Sequence, residues 1–203
     1  MTPRERVLAA IHHREPDRVP IDQGSMRSTG IMAIAYNRLK AQLGVTAPPT
    51  LLYDVIQQLA QPDDWYLQRY HVDAIDMGRA FTPPGGWQDW MLPDGSSALA
   101  PAWFRPERRD GGLLVRDPSG IVIGRTPPGA LYIDQCFWPL DGPDALDNFE
   151  PLPEKMDLVT WGALPTPPFD ASLTDERIAE IARVARHLFE TTDYALSLSV
   201  GCN

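Results

Sequence analysis

The chain has 203 residues, 43% of them hydrophobic, which is enough to bury a core as one domain or most of one. A net charge of −9 and a pI near 4.8 argue against a nucleic-acid backbone or an anionic membrane as the main partner, because phosphate binding needs clustered Lys and Arg. Cys136 and Cys202 make no disulfide framework, and no apolar run reaches the length of a transmembrane helix or a signal segment, so the expected compartment is the cytoplasm.

The opening MTPRERVLAAIHHREPDRVPID predicts a capped helix, a charged turn and a short strand. Thr2 suits the cap, Pro3 the first helical position, and Glu5 completes a capping box, with Val7, Leu8 and Ile11 sharing a face. The charged run from Arg14 to Arg18 stops the helix, since a residue before proline is pushed out of the α region and the charges prefer water. Val19, Pro20 and Ile21 then read as a first buried strand. Pro20 has no N–H to donate, so the strand is short, and Asp22, Gln23 and Gly24 emerge at its carboxyl end.

After the loop SMRSTG, a second helix is expected from Ser28 or Thr29 to Gly44, with Ile31, Ile34, Ala35, Leu39 and Leu43 as its apolar positions. A third helix from Leu51 to Leu59 breaks at Pro62, and a fourth restarts with Asp63 as its cap and Trp65, Leu67 and Tyr70 as bulk. HVDAIDMG follows as a second strand of small and β-branched residues.

Periodicity disappears between Arg79 and Pro106, where proline, glycine and tryptophan dominate. GGLLVRDPSGIVIG then places two β-rich runs around Asp117-Pro118-Ser119-Gly120, which predicts a hairpin. With ALYIDQCFWPL as a further extended piece, an antiparallel β-rich insertion is expected at about 87–139. Trp87, Trp90, Trp103, Phe104, Phe137 and Trp138 concentrate there. Aromatic bulk of this kind packs an irregular excursion, and a wall for a flat macrocyclic ligand is the alternative. A short helix around Asp144 to Phe149 and the Trp161-Gly162 pair lie in a long connection. The last helix begins after Thr174, with Ile178, Ile181, Ala182, Ala185, Leu188 and Phe189 as its stripe, and YALSLSVG reads as a third strand.

Five stretches carry a resemblance over essentially the whole length: RERVLAAIHHREPDRVPID, GIMAIAYNRLKAQLG, LLYDVIQQLAQPDDWYLQRYHVDAIDMG, RDPSGIVIGRTPPGALYIDQCFWPL and TTDYALSLSVGCN. They resemble the opening half of the uroporphyrinogen decarboxylase superfamily, particularly its corrinoid methyltransferase-like branch. The resemblance implies an α/β fold of the (β/α)₈ TIM-barrel family, here residues 1–203 as an incomplete, N-terminal part with the β-rich insertion over one end. It also implies that the family's catalytic tyrosine or its zinc ligands lie beyond Asn203. The isolated chain is therefore expected to be inactive, and to self-associate or pair with a complementing C-terminal polypeptide.

In such a barrel the informative residues follow the strands. That rule selects Asp22, Gln23 and Arg27 after the first, Asp76 and Arg79 after the second, and Cys202 and Asn203 after the third. Asp76 and Asp22 are the catalytic candidates, and Arg27 and Arg79 are the substrate-binding candidates; at each, a solvated or capping role is the competing reading. Decarboxylases of the superfamily hold substrate carboxylates with two arginines around a Gln-Ala-Gly core. The loop GSMRSTG carries only Arg27, which favours methyl transfer involving a corrinoid carrier over uroporphyrinogen III decarboxylation. The complete methyltransferase-like protein would use zinc and a corrinoid, neither of them bound by this chain, whose partner is a small molecule or a corrinoid protein. His12 and His13 at a helix end, His71 before a strand, and Cys136 as a small hydrophobe offer no metal site. A non-catalytic binding module, or one subunit of a split barrel, is the reading from a different class.

Overall fold

A computed structural model describes residues 1–80, 85–142, 148–159 and 174–198. The described elements are α1 (Pro3–Ile11), β1 (Ile31–Met32), α2 (Ala33–Leu43), β2 (Leu52–Asp54), β3 (Leu59–Ala60), α3 (Asp64–Arg69) and β4 (Ala74–Asp76). They continue as β5 (Trp87–Met91), β6 (Ser97–Pro101), β7 (Glu107–Arg109), β8 (Gly112–Arg116), β9 (Val122–Arg125), β10 (Asp134–Gln135), α4 (Leu152–Asp157), α5 (Asp175–Thr191) and β11 (Ala195–Ser197). Residues 81–84, 143–147, 160–173 and 199–203 lie outside the described residues, and with them most of the expected short helix, Trp161, Gly162, the end of the expected third strand, Cys202 and Asn203.

The expected (β/α)₈ barrel is overturned. The described strands form four small sheets, of order β1-β3-β2, β10-β9-β8-β7, β11-β4 and β5-β6, and none closes. Every ladder between named strands is antiparallel except β4 with β11, where Ala74, Ile75 and Asp76 face Ala195, Leu196 and Ser197.

Two of the expected elements are replaced for local reasons. Val19, Pro20 and Ile21 are extended but join no ladder. The Ile21 N–H donates to the Asp73 carboxylate at 2.8 Å, Ile21 accepts from the Asp73 N–H at 2.8 Å, and Val19 is 79% exposed rather than buried. The expected helix from Leu51 to Leu59 is instead the hairpin β2-β3. Asp54 Oδ1 accepts from the N–H groups of Ile56 and Gln57, each at 2.8 Å, which turns the chain, and Gln58 sits at a left-handed φ of 58°.

The first helix forms as its sequence dictates, with Thr2 accepting from the Glu5 N–H and Glu5 accepting from the Thr2 N–H. Its buried face differs from the expected one. Arg6 and Ala9 are buried, while Leu8 and Ile11 are exposed. Arg6 turns inward because Asp73, wholly buried, accepts from it at 2.5 Å and from Arg18 at 2.7 Å and 2.9 Å. The charges from Arg14 to Arg18 thus do more than seek water, since Asp17 and Arg18 tie the turn to α1 and β4. At the far end Arg4 donates to the carbonyls of Phe189, Thr192 and Tyr194, clamping α1 against the junction of α5 and β11.

The second helix starts later than expected, after a 3₁₀ turn at Arg27–Thr29 and the two residues of β1, and it ends at Gly44 with φ 68°. Asp63 precedes α3, but its carboxylate accepts from the Tyr36 hydroxyl at 3.1 Å instead of capping the backbone. The hairpin around Asp117 forms, with the Gly120 N–H donating to the Asp117 carbonyl at 3.0 Å and Gly120 at φ 91°. A single core runs through these pieces, with Tyr36, Leu52, Val55, Leu67, Phe104, Ile123 and Ile133 among its fully buried side chains. Each contributes roughly 1.5–3 kcal/mol of burial. On α5 Leu188 packs against that core and Val184 is buried, while Ile178 and Phe189 of the expected stripe are exposed. No described helix is long and apolar enough to cross a membrane.

Candidate functional site

Three elements bring Arg27, Tyr53 and Asp76 together. The 3₁₀ turn after the first extended segment supplies Arg27, β2 supplies Tyr53, and the carboxyl end of β4 supplies Asp76. The guanidinium carbon of Arg27 lies 4.4 Å from the Tyr53 ring centroid, a cation–π contact. The Tyr53 hydroxyl donates to Asp76 Oδ2 at 2.6 Å, and the Gly78 N–H donates to Asp76 Oδ1 at 2.9 Å.

All three side chains are buried, Arg27 to 5% and Asp76 to 4% exposure. Burial alone would make an arginine expensive without a partner. Arg27 Nε nevertheless has no hydrogen-bond partner. Its charge is balanced at a distance by Asp76 and by Asp54, whose carboxylate is already occupied by the turn after β2.

Burial raises the Asp76 carboxyl above the usual carboxylate range, against the opposing pull of the Tyr53 hydroxyl, the Gly78 N–H and the charges of Arg27 and Arg79. Burial and the Asp76 charge also push the Tyr53 phenol well above its ordinary value, so it stays a hydrogen-bond donor. The site therefore joins a cation with a free N–H to a carboxyl that holds its proton to higher pH than an exposed aspartate.

The glycine that follows is part of this construction. A Cβ at Gly78 would sit 2.8 Å from the Tyr53 hydroxyl and 3.0 Å from Asp76 Oδ2, so only glycine lets the backbone close over the pair.

Comparison with family models, with curated proteins and with solved structures returned no match.

Of the four site residues named from the sequence, Arg27 and Asp76 meet. Asp22 does not join them. It is exposed, and its carboxylate accepts from the N–H and the hydroxyl of Ser25, at 3.1 Å and 2.7 Å, closing its own turn. Arg79 stands on the flank, donating to the Pro62 carbonyl at 3.1 Å while its charge acts on Asp76 and Asp63. Tyr53, Asp54 and Gly78 escaped sequence reasoning. Tyr53 and Asp54 lay inside a segment read as helix, and the one available signal was Asp54 itself, a turn-forming residue ahead of two glutamines.

Among the described residues no three His, Cys, Asp or Glu side chains converge as metal ligands. The described residues thus offer no donor set for the zinc that the resemblance implies. The aromatic residues of β5 and of the turn after β6 pack on one another. Phe104 is buried between Trp90, at 5.2 Å, and Trp103, at 5.9 Å.

Proposed function

We propose that the chain is a uroporphyrinogen decarboxylase-like polypeptide whose site anchors one anionic group of a substrate on Arg27 and moves a proton at Asp76. The observation that carries this reading is the buried Arg27 Nε with no partner, above a tyrosine that is hydrogen-bonded to a carboxyl of raised pKa. Guanidinium pairs in a fork with carboxylate or phosphate, and a perturbed buried carboxyl beside such a group is suited to general acid–base work.

Methyl transfer involving a corrinoid carrier is the reaction we favour. When a methyl group leaves a heteroatom for the carrier, the electron pair of the broken bond stays on the heteroatom, which then needs a proton. Asp76 supplies it. The carboxylate left behind keeps the hydrogen bonds from Tyr53 and Gly78, and water returns the proton. A single anchoring arginine suits a substrate with one anionic group better than a tetrapyrrole with many, which makes uroporphyrinogen III decarboxylation the alternative. The reading takes the cytoplasm as the compartment and self-association or a complementing polypeptide as the partner.

The test reads Arg27 directly. Inorganic phosphate titrated into ¹⁵N-labelled protein is expected to shift one arginine Nε resonance, identified by its loss in Arg27→Gln. Methyl transfer to a reduced corrinoid and decarboxylation of uroporphyrinogen III are assayed in parallel with the complementing polypeptide supplied, since the chain alone is expected to be inactive, and Asp76→Asn is expected to cost roughly a hundredfold or more in that rate. An unmoved Arg27 resonance, or turnover indifferent to both substitutions, would sink the reading.

A further inference from the structure

A cleft of about 250 Å³ opens between the segment after α2, the start of α3 and the 3₁₀ turn that follows β4. Ala47, Pro48, Asp63, Asp64, Trp65 and Arg79 line it, and neither Arg27 nor Asp76 does. Its walls are tied down from behind. Lys40 of α2 donates to the Pro48 carbonyl, and Arg79 donates to the Pro62 carbonyl at 3.1 Å, directly before Asp63.

Asp63 is 8% exposed, and its Oδ2 accepts from the Tyr36 hydroxyl at 3.1 Å. Its Oδ1 takes no hydrogen bond among the described residues, yet it keeps accessible surface, and the cleft is where Asp63 meets solvent. Burial raises this carboxyl above its usual range, against the pull of the Tyr36 hydroxyl and of the Lys40 and Arg79 charges. A buried carboxylate with one oxygen unmet favours a cation that approaches from the open side.

The charges around the cleft match in number but do not close on one another. Asp64 is exposed, and its carboxylate has no partner among the described residues. Arg79 is half-buried, and its charge reaches Asp63 without forming an ion pair with it or with Asp64. Beyond the bond to Pro62, its remaining nitrogens have no partner among the described residues and keep accessible surface. With Lys40 behind the wall, two acids are balanced by two cations. A simple anion or cation would therefore meet one pole and be repelled by the other, whereas a zwitterion satisfies both.

We propose that this cleft binds an α-amino acid as its zwitterion. The ammonium meets Asp63 Oδ1 and Asp64, the carboxylate meets the nitrogens of Arg79 left free by Pro62, and a short apolar side chain lies against Trp65 and Pro48. The volume falls below the roughly 300 Å³ at which pockets for drug-sized ligands begin, so the ligand is a single amino acid and not a peptide.

The probe is L-leucine, titrated calorimetrically into the full chain, beside 3-methylbutylamine, which lacks the carboxylate, and 4-methylpentanoate, which lacks the ammonium. Saturable 1:1 binding of L-leucine is expected, at least about tenfold tighter than either comparison. Arg79→Gln, at a half-buried position, should bring L-leucine down to the level of 3-methylbutylamine. Asp64→Asn, at an exposed one, should weaken L-leucine and 3-methylbutylamine but not 4-methylpentanoate. The Arg27 Nε resonance should stay in place when L-leucine is added, which keeps this outcome independent of the phosphate titration. No saturable binding of L-leucine, equal affinity for either comparison, or binding untouched by Arg79→Gln each overturns the proposal.

Discussion

The Tyr53 hydroxyl donates to Asp76 Oδ2 at 2.6 Å inside a site where both residues are buried, and this bond holds down a carboxyl that burial pushes up. Because the folded-state pKa of Asp76 exceeds its ordinary value of 3.8, the folded chain binds more protons than the unfolded one between those two values. The stability this contributes is present below 3.8 and is lost as pH rises through the folded-state value. Wild-type protein should therefore lose stability relative to Asp76→Asn as pH rises toward neutrality, measured by urea unfolding across that range. Tyr53→Phe removes a group that favours the ionised carboxylate, so it should move the Asp76 titration further up. A carboxyl ¹³C titration of Asp76 that moves down in Tyr53→Phe, or that starts at an ordinary aspartate value, contradicts the assignment.

Gly78→Ala tests the same pair from the backbone side. The new methyl group would lie 2.8 Å from the Tyr53 hydroxyl and 3.0 Å from Asp76 Oδ2, inside van der Waals contact, with buried neighbours that have little room to yield. The expected cost is about 1–3 kcal/mol, together with a changed Asp76 titration. A neutral substitution would mean that the backbone does not close over the pair.

The parts of the fold that could be read from the sequence are those fixed by neighbours in the chain. Thr2, Pro3 and Glu5 specify their own cap, Gly44 ends its helix in the left-handed region, and Asp117 to Gly120 turn within four residues. The segment from Leu51 to Ala60 misled because a short apolar run has no decisive period, and its fold is settled by the Asp54 turn and by pairing with Ile31 and Met32. The same limit explains the site. Arg27 and Asp76 were named because they follow predicted strands, a rule that also named Asp22, which only closes its own turn. Tyr53 was hidden by the helix reading, so the chemistry that joins the two named residues was not visible in the sequence.

Exposed apolar side chains on α4 and α5 predict association. Ile178 and Met156 stand in water, and β4 and β11 form a parallel pair with no third named strand on either side among the described residues. Parallel strands are normally covered on both faces. Sedimentation of the purified chain should show concentration-dependent self-association, and Ile178→Glu should reduce it. A monomer at all concentrations would show that these side chains remain solvated.

Asp73 holds more of the molecule than any residue of the site, and its removal should show it. Its carboxylate has no exposure and takes one bond from Arg6, two from Arg18 and one from the Ile21 N–H, so it joins α1, the charged turn and the extended segment to the start of β4. Asp73→Asn keeps the shape but turns an amide N–H₂ toward two guanidinium groups, leaving buried donors facing donors. Breaking a buried charged group in this way costs about 3–5 kcal/mol. Because α1 also clamps the α5 to β11 junction through Arg4, the loss should spread to the far end of the chain. Hydrogen exchange should show Ile21 and Ala195 losing protection together in Asp73→Asn, since their N–H groups bond to the side chain and the carbonyl of this one residue. Loss confined to Ile21, with urea stability within about 1 kcal/mol of wild type, would mean that the arginines hold the opening segment without Asp73.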